Sequence, residues 1–161
     1  QLLLSEYAAF IELLEQKNRS NKLHLHELWY HIQNVMSSMK MMTDLVLSIT
    51  ENKTHGGLTL TALHEYLNKI IAPVTLDTHL CYYITRRSAC PYLKSVKEWI
   101  FNGVIYDPFN EFMIFENTRV RKDAYSEGYW ENKYQIRNSM VPSFLDEVKH
   151  YILNAGKYLN A

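Results

Sequence analysis

One apolar stripe runs through residues 25–49 without interruption. Its members are separated by steps of three and four residues: Leu25, Leu28, Ile32, Val35, Met39, Met42, Val46 and Ile49. An average step of 3.5 residues keeps side chains on one face of an α-helix. Trp29, Met36 and Leu45 widen this face beyond a strict coiled-coil seam, so we expect the helix to form the core of a bundle with several neighbours. The stripe therefore predicts an all-α fold.

Shorter stretches with the same rhythm predict further helices, near residues 3–14, 60–70, 75–84, 92–103 and 145–159. Thr59 or Thr61 is expected to cap the third helix, and Pro91 is expected to kink the fourth helix or divide it in two. Ser143 and Asp146 have the spacing of a capping box before the last helix. Residues 117–128 are expected to be exposed, and 129–136 to be a loop or the start of a helix.

Residues 91–116 combine a helix end, a turn and a second apolar run, and we call this segment the joint. Asn102-Gly103 predicts the end of a helix, because glycine accepts the left-handed cap conformation. Asp107-Pro108 predicts a turn, and residues 112–115 a short buried strand or extended segment. The joint contains no nucleophile, metal cluster or phosphate loop, so we interpret it as structural.

Composition narrows the function. The chain has 161 residues with 17 basic and 17 acidic side chains, so it offers no basic field for nucleic acid. No apolar run approaches the length of a membrane span. Two cysteines make no disulfide framework and favour a reducing compartment. The chain begins at Gln1 and its last helical pattern is still running at Ala161, so we expect it to be a piece of a longer protein.

Candidate sites for catalysis or metal binding do not meet their chemical requirements. His26 and His31 are five residues apart, which places them on different helix faces and not in an H-E-x-x-H zinc site. Cys81 and Cys90 lack metal-ligand spacing, and we expect both to be buried small side chains. Gly56-Gly57 lacks the lysine of a phosphate loop and is expected to be a flexible turn or a place of close backbone approach. We therefore expect no enzyme activity, metal or cofactor.

The order of residues in the joint resembles the γ-tubulin complex components. The series W-I-x-x-G-x-I-x-D-P-x-x-E-F-M-I, at residues 99–114, is similar to a sequence near the end of their first grip motif. Further similarity lies in the Leu-Trp helix at 25–39, the Gly-Gly turn at 56–60, and Ala-Cys-Pro-Tyr at 89–92. Downstream, the resemblance continues to the Gly-Lys-Tyr-Leu-Asn sequence at 156–160. This last sequence and the Leu-Trp helix are most similar to component 2, while residues 137–142 are similar to component 3.

The resemblance implies elongated, stacked helical bundles with a short extended aromatic segment near residues 104–116. It implies that residues 1–161 are one fragment covering the later part of the grip-1 half and ending near the junction with grip-2. The residues that match the family signature, all expected to be structural, are Trp29, Gly57, Pro91, Tyr92, Trp99, Gly103, Asp107, Pro108, Glu111, Phe112, Trp130, Pro142, Gly156 and Lys157.

The function implied by the resemblance is that of a scaffold subunit in the γ-tubulin complex. Such a subunit supports lateral assembly of components and microtubule nucleation. The expected partners are other components, through lateral contacts, and γ-tubulin, through a region beyond this chain, with no nucleic acid or membrane. The expected location is the cytoplasm and cytoskeleton, at the centrosome or another microtubule organising centre. An alternative is a helical adaptor that binds a partner peptide through the Met-rich helix; an exposed Met36, Met39 and Met42 stripe favours it, and a buried stripe favours the scaffold.

Overall fold

A computed structural model describes residues 2–70, 75–118 and 129–160. Within this part of the chain the helices are α1 (Leu2–Arg19), α2 (Leu25–Glu51), α3 (Gly57–Ile70), α4 (Leu76–Asn102), α5 (Tyr129–Lys133) and α6 (Lys149–Leu159). Two short strands are present, β1 (Ile114–Glu116) and β2 (Tyr134–Ile136), and two 3₁₀ turns, Asn138–Met140 and Ser143–Val148. The all-α prediction is therefore confirmed, with a two-stranded antiparallel ribbon as its only sheet among the described residues.

The chain divides into two compact units, residues 1–42 and residues 43–161. The first unit contains α1 and most of α2, with a contact between Lys17 Nζ and His31 Nε2 at 3.2 Å. The second unit contains one apolar core built from α3, α4, the β1–β2 ribbon and α6. Its buried members are Leu60, Ala89, Tyr92, Val96, Trp99, Phe112, Met113, Ile114, Tyr134, Val141, Ile152 and Leu153.

α2 is a helix as predicted, but its predicted stripe is not a buried bundle core. Leu25 is 83% exposed, Met39 46% and Val46 60%, whereas the buried members among the described side chains of this helix are Met41 and Leu45. Periodicity identifies an apolar face, but it does not say whether a neighbour in the same chain covers that face. The expectation of a bundle core along the whole helix is therefore wrong for the chain by itself.

α4 is one helix of 27 residues, so Pro91 does not divide it. Thr75 caps its start: the Thr75 hydroxyl accepts from the Thr78 N–H, and the Thr78 hydroxyl accepts from the Thr75 N–H. The core-facing side chains include Cys81, Ala89, Tyr92, Val96 and Trp99. Cys90 is exposed, contrary to the expectation that both cysteines are buried.

Some predicted boundaries also differ. α3 begins at Gly57, and the Thr61 hydroxyl donates to the Gly57 carbonyl from inside the helix, so neither threonine caps its start. The capping box at Ser143 is absent, because residues 143–148 form a 3₁₀ turn without a side-chain cap. Residues 134–136 form a strand and not a loop. The expectation of an exposed segment at 117–128 falls mostly outside the described residues, as does Pro73.

Candidate functional site

Trp99 lies at the centre of the joint, with its side chain fully buried. Its indole Nε1 donates to the Ile152 carbonyl of α6 at 2.8 Å. The ring of Tyr134 from β2 meets the indole edge-on, with 4.9 Å between the ring centroids. A buried indole needs a partner for its N–H, and this carbonyl provides one. Trp99 therefore connects α4, the ribbon and α6.

Gly156 allows α6 to approach the Trp99 indole directly. A Cβ added to Gly156 would lie 2.0 Å from Trp99 Cε2, far inside van der Waals contact. Glycine is unfavourable inside a helix relative to alanine, by about 1 kcal/mol. Its presence in the middle of α6 is therefore explained by the close packing of the indole against the α6 backbone.

The C-terminal end of α4 is held against the C-terminal end of α6. Gly103 has φ of 64° and its N–H donates to the Trp99 carbonyl at 3.0 Å, so it caps α4 as predicted. Asn160 Nδ2 donates to the Gly103 carbonyl and to the Gly156 carbonyl, each at 2.9 Å. One amide side chain thus bridges both helix ends and satisfies carbonyls that lack a helical partner.

Asp107 organises the loop between α4 and β1. Its Oδ1 accepts from the Glu111 N–H at 2.8 Å, and its Oδ2 accepts from the Phe112 N–H at 3.1 Å. Arg137 Nη1 forms an ion pair with Asp107 Oδ2 at 3.2 Å, and Arg137 Nη2 donates to Asn110 Oδ1 at 3.0 Å. The Asp107 side chain is only 10% exposed, so these partners replace most of its solvent. The predicted turn is confirmed. Its Asp107 also holds Arg137, the residue that directly follows β2, through an ion pair.

Tyr92 and Gly57 meet the same backbone segment. The Tyr92 hydroxyl donates to the Met140 carbonyl at 2.7 Å. A Cβ on Gly57 would lie 1.9 Å from that same Met140 oxygen, so the Gly-Gly sequence is a place of close backbone approach. Burial raises the pKa of the Tyr92 phenol well above its ordinary value, which keeps the hydroxyl protonated as a donor.

The structure brings eight of the fourteen signature residues into this packed region of residues 43–161. They are Gly57, Tyr92, Trp99, Gly103, Asp107, Phe112, Pro142 and Gly156. Pro91, Pro108 and Glu111 are exposed beside it, and Lys157 is half-buried. Trp29 lies in the other unit and is 57% exposed. Trp130 belongs to α5, but its side chain lies outside the described residues.

The sequence did not predict the contacts of four partners of the signature residues, although each lies in a segment analysed above: Tyr134, Arg137, Met140 and Asn160. Met140 contributes only its backbone, which leaves no signal in the sequence. One sequence signal pointed towards Arg137: a carboxylate such as Asp107 within an apolar segment needs a cationic partner. The neighbouring sequence does not show which lysine or arginine is that partner. The hydrogen bonds from Arg137 to Asp107, from Tyr92 to Met140 and from Asn160 to Gly103 span 30 to 57 residues along the chain, beyond the reach of any local pattern.

The joint forms part of a packed core in which the buried polar side-chain atoms are hydrogen-bonded. Among the described residues, no buried side-chain nitrogen or oxygen lacks a hydrogen-bond partner. In that same part of the chain no group of three or more His, Cys, Asp or Glu side chains could hold a metal ion. None of the described helices is both long enough and apolar enough to cross a membrane. The arrangement can hold α4, α6 and the ribbon in fixed relative positions.

Comparison with known proteins gives this geometry its context. The chain matches the family described as gamma tubulin complex component N-terminal over residues 1–161. It belongs to that γ-tubulin complex component family.

Individual relatives agree with the family match. The chain is 35% identical to gamma-tubulin complex component 2 of Mus musculus, over 98% of this chain and 18% of the relative. It is 32% identical to spindle pole body component alp4 of Schizosaccharomyces pombe, over 92% of this chain and 17% of the relative. Gamma-tubulin complex component 3 of Homo sapiens is 30% identical, over 65% of this chain and 11% of the relative. The chain therefore spans less than a fifth of the length of these relatives.

The family prediction made from residues 99–114 is confirmed, and component 2 is the more similar subtype. The mouse component 2 aligns with almost the whole chain, whereas human component 3 aligns with about two thirds of it at lower identity. In this γ-tubulin complex component domain, the residues of the joint that resemble the family signature pack and form hydrogen bonds around Trp99, Asp107 and Tyr92.

Proposed function

We propose that this chain is part of a scaffold subunit of a γ-tubulin complex, in which it supports the lateral assembly of components and thereby microtubule nucleation. The observation that carries the proposal is the family match over all 161 residues. The proposed site of action is a centrosome, spindle pole or other microtubule organising centre. It is supported by the name of the fission yeast relative, a spindle pole body component. The same family match supports a structural role and not a catalytic one.

The physical benefit of such a scaffold is a lower entropic barrier. Association of free subunits costs translational and rotational freedom, of order 4–15 kcal/mol for each binding event. Subunits that are held side by side act at a high effective concentration, so the next contact forms without that full cost. A scaffold therefore has to be stiff, and the satisfied core around Trp99 supports this requirement.

The proposed lateral contact uses the exposed apolar face of α2. Leu25, Trp29, Met36 and Met39 repeat at four, seven and three residues, which places them on one helix face. They are 83%, 57%, 53% and 46% exposed, respectively. Contiguous exposed apolar surface marks interaction sites, and tryptophan and methionine are enriched in interface cores. We assign this face to a neighbouring component, and γ-tubulin to a region outside residues 1–161.

The position of the chain within the whole protein is part of the same proposal. Residues 1–161 would form the later part of the grip-1 half and end near the junction with grip-2. The joint would then transmit the position of the lateral contacts towards the γ-tubulin end. Its connection of α4 to α6 through Trp99, Gly156 and Asn160 supports this role.

A second candidate function is that of a helical adaptor for a partner peptide. The condition set out above for the adaptor is met in part, because Met36 and Met39 are exposed and Met42 is half-buried, and methionine surfaces accept varied partners. The family match over the whole chain is the reason that the scaffold is proposed first. The two functions differ in what covers this face: a folded neighbouring component, or a short amphipathic peptide.

A binding experiment separates the two functions. The chain is immobilised and exposed to the grip-1 half of component 3, to purified γ-tubulin and to a synthetic amphipathic helix of leucine and lysine. The double variant Trp29→Ala/Met36→Ala removes the face, and Tyr158→Ala, an exposed aromatic change in the other unit, is the matched control. We expect the component to bind, the double variant to weaken binding by about tenfold or more, and the control to bind unchanged.

The other outcomes have definite meanings. Binding of γ-tubulin by the chain would contradict its proposed position in the protein. Strong binding of the synthetic helix without binding of the component would favour the adaptor. Equal binding of the component by the double variant and the parent chain would contradict the assignment of the α2 face.

A further inference from the structure

A groove of about 520 Å³ opens at the surface of the joint, lined by residues of 54–60, of α4 and of 106–112. We call it the α4 groove. Its volume lies within the range of about 300–1,000 Å³ typical of ligand sites. The packing contacts described above do not fill it, and all of its lining residues lie in the unit formed by residues 43–161.

Four Tyr or Phe side chains and two prolines are among the fifteen described residues that line the α4 groove. Tyr106 and Phe109 stand at its rim, 80% and 79% exposed, and neither belongs to the buried core. Pro91 and Pro108 also line the groove and are exposed, while Tyr92 lines it as a buried residue, 8% exposed. Two large aromatic side chains held in solvent beside a groove are unfavourable for the free protein and typical of a recognition surface.

The loop that carries Tyr106 and Phe109 is held in place by hydrogen bonds, an ion pair and close packing. Asp107 accepts from the N–H groups of Glu111 and Phe112 and pairs with Arg137. Gly56, which has a φ of 55°, packs directly against this loop. A Cβ added to Gly56 would lie 2.6 Å from the Glu111 carbonyl oxygen. A preformed groove binds a ligand without first losing loop entropy.

The polar groups of the α4 groove select a particular backbone. Ser88 contributes a hydroxyl group from α4, and Tyr106 contributes a phenol at the rim. The Ser95 hydroxyl also lines the groove but donates to the Pro91 carbonyl at 3.4 Å. Hydroxyl donors suit a chain rich in backbone carbonyls and poor in N–H groups, which describes a polyproline II segment. Aromatic-lined grooves bind such segments because their extended conformation is already formed before binding.

The charges of the α4 groove select a cation on that segment. Asp107 and Glu111 line the groove, and none of the described lining residues is lysine or arginine. Arg137 pairs with Asp107, which leaves the exposed Glu111 carboxylate as the negative group open to a ligand.

We propose that the α4 groove binds an extended, proline-rich segment of a partner protein that carries a lysine or arginine opposite Glu111. Prolines of the segment pack against Tyr106 and Phe109, and its cation meets the Glu111 carboxylate. The α4 groove is lined by residues 54–112 of the second unit, whereas the α2 face assigned above to lateral assembly belongs to residues 25–39 of the first, so the two proposals rest on different residues.

Fluorescence anisotropy of three labelled dodecapeptides tests the proposal with the 161-residue chain. The probes are four repeats of Pro-Pro-Lys, four repeats of Pro-Pro-Glu, and four repeats of Gly-Ser-Lys. The first has the proposed backbone and charge, the second has the wrong charge, and the third has the charge without the polyproline conformation. We expect saturable binding of the first probe, and binding weaker by about tenfold or more for each of the others.

Three variants locate the binding. Tyr106→Ala and Phe109→Ala should each weaken the Pro-Pro-Lys probe by about fivefold or more, since each removes an aromatic platform. Glu111→Gln should weaken the same probe and reduce its preference over Pro-Pro-Glu. Phe101→Ala is the control, because Phe101 is 68% exposed on α4 but does not line the groove. All four side chains are exposed, so thermal unfolding should confirm that each variant is folded.

Several results would overturn the proposal. One is no saturable binding of Pro-Pro-Lys by the folded chain, and another is equal binding of all three probes. Binding that survives both aromatic changes would place the site elsewhere. Self-association of the chain that Tyr106→Ala abolishes would show that the groove accepts a second copy instead.

Discussion

At the scale of single residues, the joint depends on side chains that are small or polar at defined points. Gly57 and Gly156 leave room for a backbone oxygen and for an indole ring, and Asn160 bridges two helix ends. The sequence identified both glycines as signature positions. It could not identify what fills the space beside them, because Met140 and Trp99 are distant in the chain. Local composition predicts a need for space, and only the fold reveals which group occupies it.

Replacement of Gly156 by alanine separates helix propensity from packing. Propensity alone would stabilise α6 by up to about 1 kcal/mol. The added Cβ would instead overlap the Trp99 indole, so we expect Gly156→Ala to lower the free energy of unfolding by about 1–3 kcal/mol. Urea unfolding measures the difference. Asn154→Ala, at an exposed position of the same helix, is the control and should be neutral or slightly stabilising; a stabilising Gly156→Ala would contradict the packing account.

Tyr92 makes the stability of the chain sensitive to alkaline pH. Burial raises its pKa in the folded state above the value of about 10 in the unfolded chain. The folded state therefore holds the proton more tightly, and this contribution is complete below the unfolded pKa and is lost as pH rises above it. We expect Tyr92→Phe to lose about 1 kcal/mol at neutral pH, from the hydrogen bond to Met140.

The pH series itself gives the decisive comparison for Tyr92. Above about pH 10 the parent chain should lose stability faster than the Tyr92→Phe variant, so their difference should shrink. Urea unfolding at a series of pH values measures this convergence. Tyr158→Phe changes an 82% exposed tyrosine and should leave the pH dependence as it is in the parent. Parallel pH curves for the parent and Tyr92→Phe would show that the buried phenol is not the source.

At the scale of elements, predictions were best where the signal is local. The Asn-Gly sequence located the end of α4, and Asp107-Pro108 located the turn, because each depends on backbone preferences of neighbouring residues. β2 was missed because a three-residue strand is specified by its pairing with β1, about twenty residues earlier. The burial of α2 was misjudged for a related reason, since an apolar face says nothing about which partner covers it.

Trp99 should be the largest single contribution to the packing of α4 on α6. Its fully buried ring contacts Gly156 and Tyr134, and its N–H is bonded to α6. We expect Trp99→Ala to lower the free energy of unfolding by about 3–5 kcal/mol in urea unfolding. Trp29→Ala, at a 57% exposed position, is the matched control and should cost far less. A loss below about 1 kcal/mol for Trp99→Ala would contradict the account of the joint.

Asp107 should matter much more than an ordinary surface carboxylate. Asp107→Ala leaves two backbone N–H groups and the partly buried Arg137 without their acceptor, so we expect a loss of about 2–4 kcal/mol. Asp146→Ala is the control, because its ion pair with Lys149 is shorter, at 2.8 Å against 3.2 Å, but the Asp146 side chain is 63% exposed. That exposed pair should contribute less than about 1 kcal/mol. Equal losses of stability in thermal unfolding for the two variants would contradict the structural role assigned to Asp107.

At the scale of the whole molecule, the chain has a packed apolar core in residues 43–161 and an exposed apolar helix face in residues 1–42. The family assignment rests on the entire chain, while the chain represents less than a fifth of the length of the mouse and fission yeast relatives. An uncovered face in a chain of this family is the feature that we connect with lateral assembly. That connection is the central claim of the proposed function.

Hydrogen–deuterium exchange of the chain, alone and bound to the grip-1 half of component 3, tests this claim most directly. Exchange reports local opening along each element, so protection on binding maps the contact without any mutation. We predict protection concentrated in residues 25–39 of α2, with exchange at residues 91–116 unchanged, because the joint is already rigid. Protection confined to residues 43–161, or none in α2 when the component is bound, would contradict the account.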